Sequence, residues 1–181
     1  YGGGGKDRLY LDAGTDFLNG GEGVDSVYAA GNVRTRIDLA NSSSQNTGYG
    51  NDRIINIENI FGGGSHDTFF GNSDRNIIRG NNGNDQVDGR GGNDLIFGGR
   101  NNDTLSGSNG NDVLKGDHGS DRLIGGAGKD KLYAGVDNNR DLFVYKDVTD
   151  SKKGSKRDLI YNFDSGEDDI ILKKIDADTS A

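Results

Sequence analysis

Ten aspartates of this 181-residue chain fall at the same position of a nine-residue repeat, in two blocks that each keep their own register. Asp7, Asp16 and Asp25 open the series. Asp67, Asp85, Asp94, Asp103, Asp112, Asp121 and Asp130 continue it, with Asn76 in the one missing place. A nine-residue period is too short for a helical hairpin, and it fits a turn followed by a short strand. Two such units reverse the chain twice and close one coil of 18 residues. Units two apart then stack at roughly the 4.8 Å spacing of paired strands. Asp67, Asp85, Asp103 and Asp121 line up in one ladder, and Asn76, Asp94, Asp112 and Asp130 in another. Carboxylates about 5 Å apart repel by about 1 kcal/mol in water, and by more in a drier turn. Basic side chains are scattered through the units without matching register, so the counter-charge must come from elsewhere. A hard divalent cation supplies it. Carboxylates and turn carbonyls form an all-oxygen donor set, which suits Ca²⁺. Zn²⁺ is disfavoured by the absence of Cys and the presence of only two His.

The rest of each unit is what such a ladder requires. In the pattern G-G-x-G-x-D-x-U-x, position 8 is apolar in all eleven units. These residues are Leu9, Leu18, Val27, Phe69, Ile78, Val87, Ile96, Leu105, Leu114, Leu123 and Leu132. Positions 7 and 9 are mixed, so each unit holds a minimal strand with one side chain inward. Position 1 is Gly in ten units and position 4 in eight, with Ser65, Asp74 and Asn101 as the substitutes. Residues of these types tolerate the left-handed backbone of a tight turn. An isolated Asp in a Gly-rich turn needs no further role, because it closes an Asx-turn. Ten at one repeat position need another explanation.

The units GNNGNDQVD, GRGGNDLIF and GSNGNDVLK, with their neighbours over 2–28 and 62–133, closely resemble the RTX, or haemolysin-type, calcium-binding nonapeptide repeat. The consensus of that repeat is the same nine-residue pattern. The resemblance implies an all-β chain, a right-handed parallel β-roll with two nonapeptides per coil, and several Ca²⁺ ions between turns. It implies as ligands the carboxylates named above. It adds the turn carbonyls of Gly80, Gly83, Gly89, Gly92, Gly98, Gly107, Gly110, Gly116, Gly119, Gly125 and Gly128. Asn76, Leu11 with Asp12, and the three substitutes at position 4 depart from the pattern. Weaker or missing sites are expected there, and the best sites within 80–130.

Four regions follow: a first repeat block (1–28), an interruption (29–61), a second block of eight repeats (62–133), and a β-rich C-terminal cap (134–181). In the interruption, Val33, Thr35, Ile37 and Leu39 alternate with polar residues as in a half-buried strand. A polar loop follows. TGYGNDRII then reads as a degenerate repeat, with Asp52 as a further candidate ligand. The insertion is not a multiple of nine, so the two blocks need not share a ladder. In the cap, 142–145, 158–163 and 169–172 read as three strands. The phrases DLFVYKDVTDS, DLIYNFDSGEDDI and KKIDAD resemble the region after the repeats in serralysin-type metalloproteases and other RTX exoproteins. In that family the region runs on into an uncleaved signal for type I secretion. No signal peptide or initial Met is present, so the chain reads as part of a longer protein.

Composition bounds the function. There are 32 Gly, no Pro, Cys, Met or Trp, and a net charge of −8. Leu, Ile, Val and Phe make up 40 of 181 residues, near the range of chains that stay disordered. Such a chain is expected to need its cation to offset the entropy of folding. The acidity disfavours nucleic acid and anionic membranes as partners, and no apolar run is long enough for a membrane span. HExxH and G-x-S-x-G are absent, and His66 and His118 sit on turns of different units, so no catalytic site is read. The expected role is a non-catalytic calcium-binding module of a secreted bacterial protein. It would stay unfolded at low calcium and fold outside the cell. Its partners would be calcium, an N-terminal effector domain of the same parent, and the type I secretion machinery. The alternative is an adhesive or polysaccharide-binding module, with Tyr10, Phe17, Tyr28, Phe70, Phe97 and Tyr133 as candidates for stacking on sugars.

Overall fold

A computed structural model describes residues 1–147, 150 and 157–173. Among these residues there are twenty strands and no helix. One sheet has eight parallel strands: β2 (Arg8–Tyr10), β5 (Ser26–Tyr28), β9 (Asn59–Phe61), β11 (Ile77–Asn82), β13 (Leu95–Arg100), β15 (Val113–His118), β17 (Lys131–Gly135) and β19 (Leu159–Tyr161). The facing sheet has seven: β6 (Arg36–Asp38), β10 (Thr68–Phe70), β12 (Gln86–Asp88), β14 (Thr104–Asn109), β16 (Arg122–Ala127), β18 (Leu142–Tyr145) and β20 (Asp169–Leu172). Successive units alternate between the two sheets, which makes the chain a parallel β-roll. Within the long array the register advances by 18 residues per coil, as in Thr68 opposite Gln86 and Leu95 opposite Val113.

The core is two columns of single side chains. Ile60, Ile78, Ile96, Leu114 and Leu132 stack under one sheet, and Ile37, Phe69, Val87, Leu105, Leu123 and Phe143 under the other, all fully or almost fully buried. Of the eleven apolar residues at position 8, only Leu9, on the outermost strand of its sheet, is partly exposed. A single inward side chain per strand is the least a packed interior can use, so each one counts.

The interruption behaves differently from its spacing. Its strand is shorter than the alternation suggests: Thr35 and Ile37 are buried, whereas Val33 is 37% exposed. β6 pairs in parallel with β10, and β9 slots between β5 and β11. The two blocks therefore share one continuous eight-stranded sheet, although the insertion between them is not a multiple of nine. The extra residues are absorbed in turns and in the hairpin of β7 (Ser44–Asn46) and β8 (Asn51–Ile55), so the strands keep phase. β8 also pairs with β3 (Phe17–Asn19), and β1 (Gly3–Gly5) with β4 (Gly21–Gly23), in two small sheets at the N-terminal end. Arg90 joins seam to array through a two-pronged pair with Asp38 (2.7 Å at each prong).

The three strands expected after the repeats are β18, β19 and β20. They extend both sheets as further rungs, in register with β16, β17 and β18. The KKIDAD phrase lies beyond Lys173 outside the described residues, as do three residues of DLFVYKDVTDS.

Leu105→Ala removes one of the core side chains that touch both neighbours in its column. It should cost about 2–5 kcal/mol of folding stability, read from denaturant unfolding. Gln86→Ala, on an exposed side chain of the same sheet, should cost less than about 0.5 kcal/mol.

Candidate metal centre

The position-6 carboxylates form the ladders that the period implies. The backbone N–H of each aspartate donates to Oδ1 of the aspartate one coil further on. The bonds run Asp67 to Asp85, Asp85 to Asp103 and Asp103 to Asp121 on one side, and Asp94 to Asp112 and Asp112 to Asp130 on the other (2.7–2.8 Å). Asp7 donates likewise to Asp25, and Asp16 to Asp52. Asp52 thus occupies the ladder place that its degenerate repeat suggested.

The ladders also run on where the period is lost. Glu58 accepts from the N–H of Asp25, and Thr35 donates its N–H to Asp67. Asp121 donates to Asp141, Asp141 to Asp168, and Asp130 to Asp158. Sequence spacing missed these five places. A signal was nevertheless present, because each is followed two residues later by an apolar side chain: Ile60, Ile37, Phe143, Ile170 and Ile160.

A second ladder, also unforeseen, runs in the opposite sense at position 5. The N–H of Asn102 donates to the side-chain oxygen of Asn84, Ser120 to Asn102, Asn111 to Asn93 and Lys129 to Asn111. His66 joins it by accepting from the N–H of Asn84 through Nδ1. His118 lies 3.7 Å from Asp137.

One carboxylate oxygen per turn remains. Oδ2 of Asp7, Asp16, Asp25, Asp85, Asp94, Asp103, Asp112, Asp121 and Asp130 is buried with no hydrogen-bond partner. In the turns of 80–130 it lies over the glycine at position 1 of its own unit. A Cβ on Gly80 would collide with Oδ2 of Asp85, and the carbonyl oxygen of Gly98 crowds the same spot from the next coil. Gly89, Gly98, Gly107 and Gly116 repeat the arrangement. Positions 2 and 4 of these turns have left-handed backbones, as at Asp117 (φ 72°) and Gly119 (φ 125°). Asn101 holds the same conformation at position 4 (φ 77°), so this substitute keeps the turn geometry of its neighbours.

The turns ending in Asp67 and Asn76 are of another kind. No residue in them has a left-handed backbone. Oδ2 of Asp67 accepts the N–H of Gly63, and Oδ1 of Asn76 the N–H of Asn72. Here Ser65, Asp74 and Asn76 do mark a departure, as their sequence suggested.

A buried, unpartnered carboxylate oxygen is costly. Loss of water pushes Asp103 up to about 8, Asp85, Asp94, Asp121 and Asp130 up to about 7, and Asp112 up to about 6. In each, the backbone N–H bond pulls the other way and neighbouring carboxylates push further up. Among the described residues no three His, Cys, Asp or Glu side chains converge. A cation must therefore draw on main-chain oxygens as well, and the carbonyls of positions 1 and 4 are at hand. Charged carboxylate oxygens and carbonyls in a cradle that only glycine leaves open fit Ca²⁺.

The aromatic side chains pack largely against one another and against basic side chains. Tyr10, Tyr28 and Phe61 stack in a row (centroids 5.1 and 4.6 Å apart). Phe97 lies between Arg79 (3.8 Å) and Lys115 (5.2 Å), and Tyr133 between Lys115 and Tyr161. Phe70 has Arg36 and Arg90 over it, and Phe17 has Arg53 and Tyr1. The ring faces are thus used within the protein, so flat stacking on sugars is not open to most of them. Beside this row runs an open trough of about 1100 Å³ whose lining includes Asn82, Gly99, Arg100, Lys115, His118 and Tyr133.

A family model for the RTX calcium-binding nonapeptide repeat matches residues 1–32, 59–78, 70–105, 97–132 and 106–140. No curated protein matches the chain. Among the described residues no helix is long and apolar enough to cross a membrane.

The raised carboxyls set a pH dependence. Without divalent cation the folded chain holds these protons up to about pH 6–8, whereas an unfolded aspartate loses its own near ~4. The fold binds more protons than the unfolded chain across that window, so its stability falls as pH rises from about 4 to about 8. In chelator, β-structure by circular dichroism should be greater at pH 5 than at pH 8. Calcium added at pH 7 should release protons, measurable in weak buffer.

Proposed function

Because the chain belongs to the RTX calcium-binding nonapeptide repeat family, which makes it a binder of several calcium ions, we propose that it is a folding module switched by calcium. Nine buried carboxylate oxygens with no partner in the protein carry this reading. The proposed ligands are the carboxylates of Asp7, Asp16, Asp25, Asp85, Asp94, Asp103, Asp112, Asp121 and Asp130, with the carbonyls of their turns. Calcium supplies positive charge to these oxygens when bound. The chain's own work is to hold one Oδ1 on a backbone N–H, to aim Oδ2 at the glycine cradle, and to keep water out. With little apolar burial and 32 glycines, the chain cannot order these turns against their own charge without calcium. Weak sites suited to millimolar calcium would leave the chain unfolded inside a producing cell and folded outside it. That behaviour suits export through a type I channel, followed by support of an effector domain in the same parent protein.

The test is a calcium titration followed by far-ultraviolet circular dichroism, starting in chelator at pH 7.5 with magnesium as control. A cooperative rise of β-structure with calcium alone is expected, and a chain fully folded in chelator sinks the proposal. Asp103→Asn should raise the calcium midpoint at least about fivefold, the equivalent of about 1 kcal/mol.

A second reading, that the outer face also holds a polysaccharide, is favoured by the trough alone. Its lining offers amides, a tyrosine and the cations Arg100 and Lys115 against the single carboxylate of Asp117, the reverse of the balance over the whole chain. The double variant Arg100→Ala, Lys115→Ala should lose binding to an acidic polysaccharide in calorimetric titration while its calcium midpoint stays within about twofold. Equal binding by the variant and the parent chain would remove this reading.

A further inference from the structure

The two kinds of turn are not mixed at random along the chain. We propose that residues 29–79 form a cation-free seam dividing the array into two calcium blocks that load independently. This rests on the calcium reading above and concerns where its ions are absent.

Every ladder place in the seam is filled without a buried, unpartnered carboxylate oxygen. Thr35 brings no charge, and its hydroxyl donates to the carbonyl of Val33. Asp52 is fully buried, with Oδ1 on the N–H of Asp16 and Oδ2 on the hydroxyl of Thr47. Glu58 accepts the N–H of Asp25 at 2.6 Å. Asp67 places its two oxygens on the N–H groups of Thr35 and Gly63. Asn76 is neutral: its oxygen takes the N–H of Asn72, and its amide donates to the carbonyl of Glu58. Asp168, at the far end of the array, repeats the solution of Asp67, with its oxygens on the N–H groups of Asp141 and Asp164.

At Asp52, Asp67, Asn76 and Asp168 a hydroxyl or a further backbone N–H meets an oxygen of the kind left open elsewhere. The turn conformation follows suit at three of the six, while the turns of Thr35, Asp52 and Glu58 keep Gly31, Gly48 and Asn56 at positive φ. The turns of Asp67, Asn76 and Asp168 have no left-handed residue. The turns on either side place one at positions 2 and 4, or at position 4 alone in the turn of Asp16. An N–H at Oδ2 takes one of its lone-pair directions and brings positive charge to it, so it competes with a cation for that oxygen and relieves the need for one. The outcome is a block of three cation-dependent turns, ending in Asp7, Asp16 and Asp25, and a block of six, ending in Asp85 to Asp130. The seam between them binds through its own hydrogen bonds and a core of Ile37, Ile54, Ile57, Ile60, Phe69 and Ile78. Nearest-neighbour coupling is what makes ion loading cooperative in a repeat array, and the seam removes the shared ligand that would carry it from block to block.

Two measurements on the full chain test this. Native mass spectrometry counts bound calcium, and hydrogen exchange by mass spectrometry follows peptides from 1–28 and from 80–133 through a calcium titration. Asp67→Asn should bind as many ions as the parent chain, whereas Asp103→Asn should bind at least one fewer. Asp103→Asn should shift the protection midpoint of 80–133 at least about fivefold and that of 1–28 less than about twofold; Asp16→Asn should do the reverse. Loss of an ion in a folded Asp67→Asn chain overturns the proposal. So does an equal shift of both midpoints in Asp103→Asn, a reading that stands even where Asp67→Asn does not fold. A parent chain that binds no calcium is a separate result: it removes the calcium reading itself, and the seam with it.

Discussion

Nine turns of this β-roll end in an aspartate with two oxygens, of which the protein leaves Oδ2 without a partner. Oδ1 takes the N–H from the preceding coil, which fixes the side chain, its rotamer and the register between coils. Oδ2 is then held where water does not reach. The composition of the repeat follows from that second oxygen. Position 1 is glycine because Oδ2 and a carbonyl of the next coil occupy the space of a Cβ. Positions 2 and 4 take left-handed residues, which reverses the chain within six residues and keeps the cradle open. The apolar residue at position 8 follows two places after the aspartate, so the same geometry that buries Oδ2 sends one side chain inward.

Much of this was legible in the sequence because a period reports a repeated environment. Asp85 and Asp103 sit 18 residues apart in sequence and one rung apart in space, and Val87 with Leu105 inherits that relation. What the period could not report is the tolerance of the turns to length. The ladder restrains the aspartate and the strand after it, while the turn before it is free to lengthen. Asp141, Asp158 and Asp168 therefore keep their rungs at offsets of 20, 28 and 27 residues from their partners. The phase was lost to a nine-residue reading, yet the triplet of acid, any residue and apolar residue persisted. Glu58-Asn59-Ile60 shows the triplet even with a longer acid, which reaches the N–H of Asp25 from a strand offset by 33 residues. The partners of the aromatic row were hidden for a related reason. Sequence shows that position 9 faces outward, but not that neighbours in register cover each other's ring faces, as Tyr28 and Phe61 do (interplanar angle 6°).

The roll also shows how little apolar burial a repeat can use when its turns are ordered by other means. One inward side chain per strand gives two thin columns, and the strands beside them are three to six residues long. Side-chain to backbone bonds at positions 5 and 6, running in opposite senses, lock each coil to both neighbours. Such bonds add little net free energy singly, but losing any one strands a buried donor. The fold is thus specified tightly and stabilised weakly, the condition under which a bound ion decides whether the chain folds.

The glycines record where that decision is taken. A turn closed by a backbone N–H, as at Asp67, asks for no left-handed residue and accepts Ser65 at position 4; one closed by a neutral amide, as at Asn76, accepts Asp74. A turn that leaves Oδ2 open has to be built from residues that tolerate positive φ, and each glycine among them adds to the entropy lost on folding. Retaining the less stable turn in nine places, when the other kind lies within the same chain, makes sense only if the open oxygen is used. The destabilisation falls on the cation-free state, where it helps to keep the chain unfolded, and the gain falls on the loaded state. The left-handed backbone at position 4 and the unpartnered oxygen are therefore two expressions of one design, in which instability without the ion is part of what the turn provides.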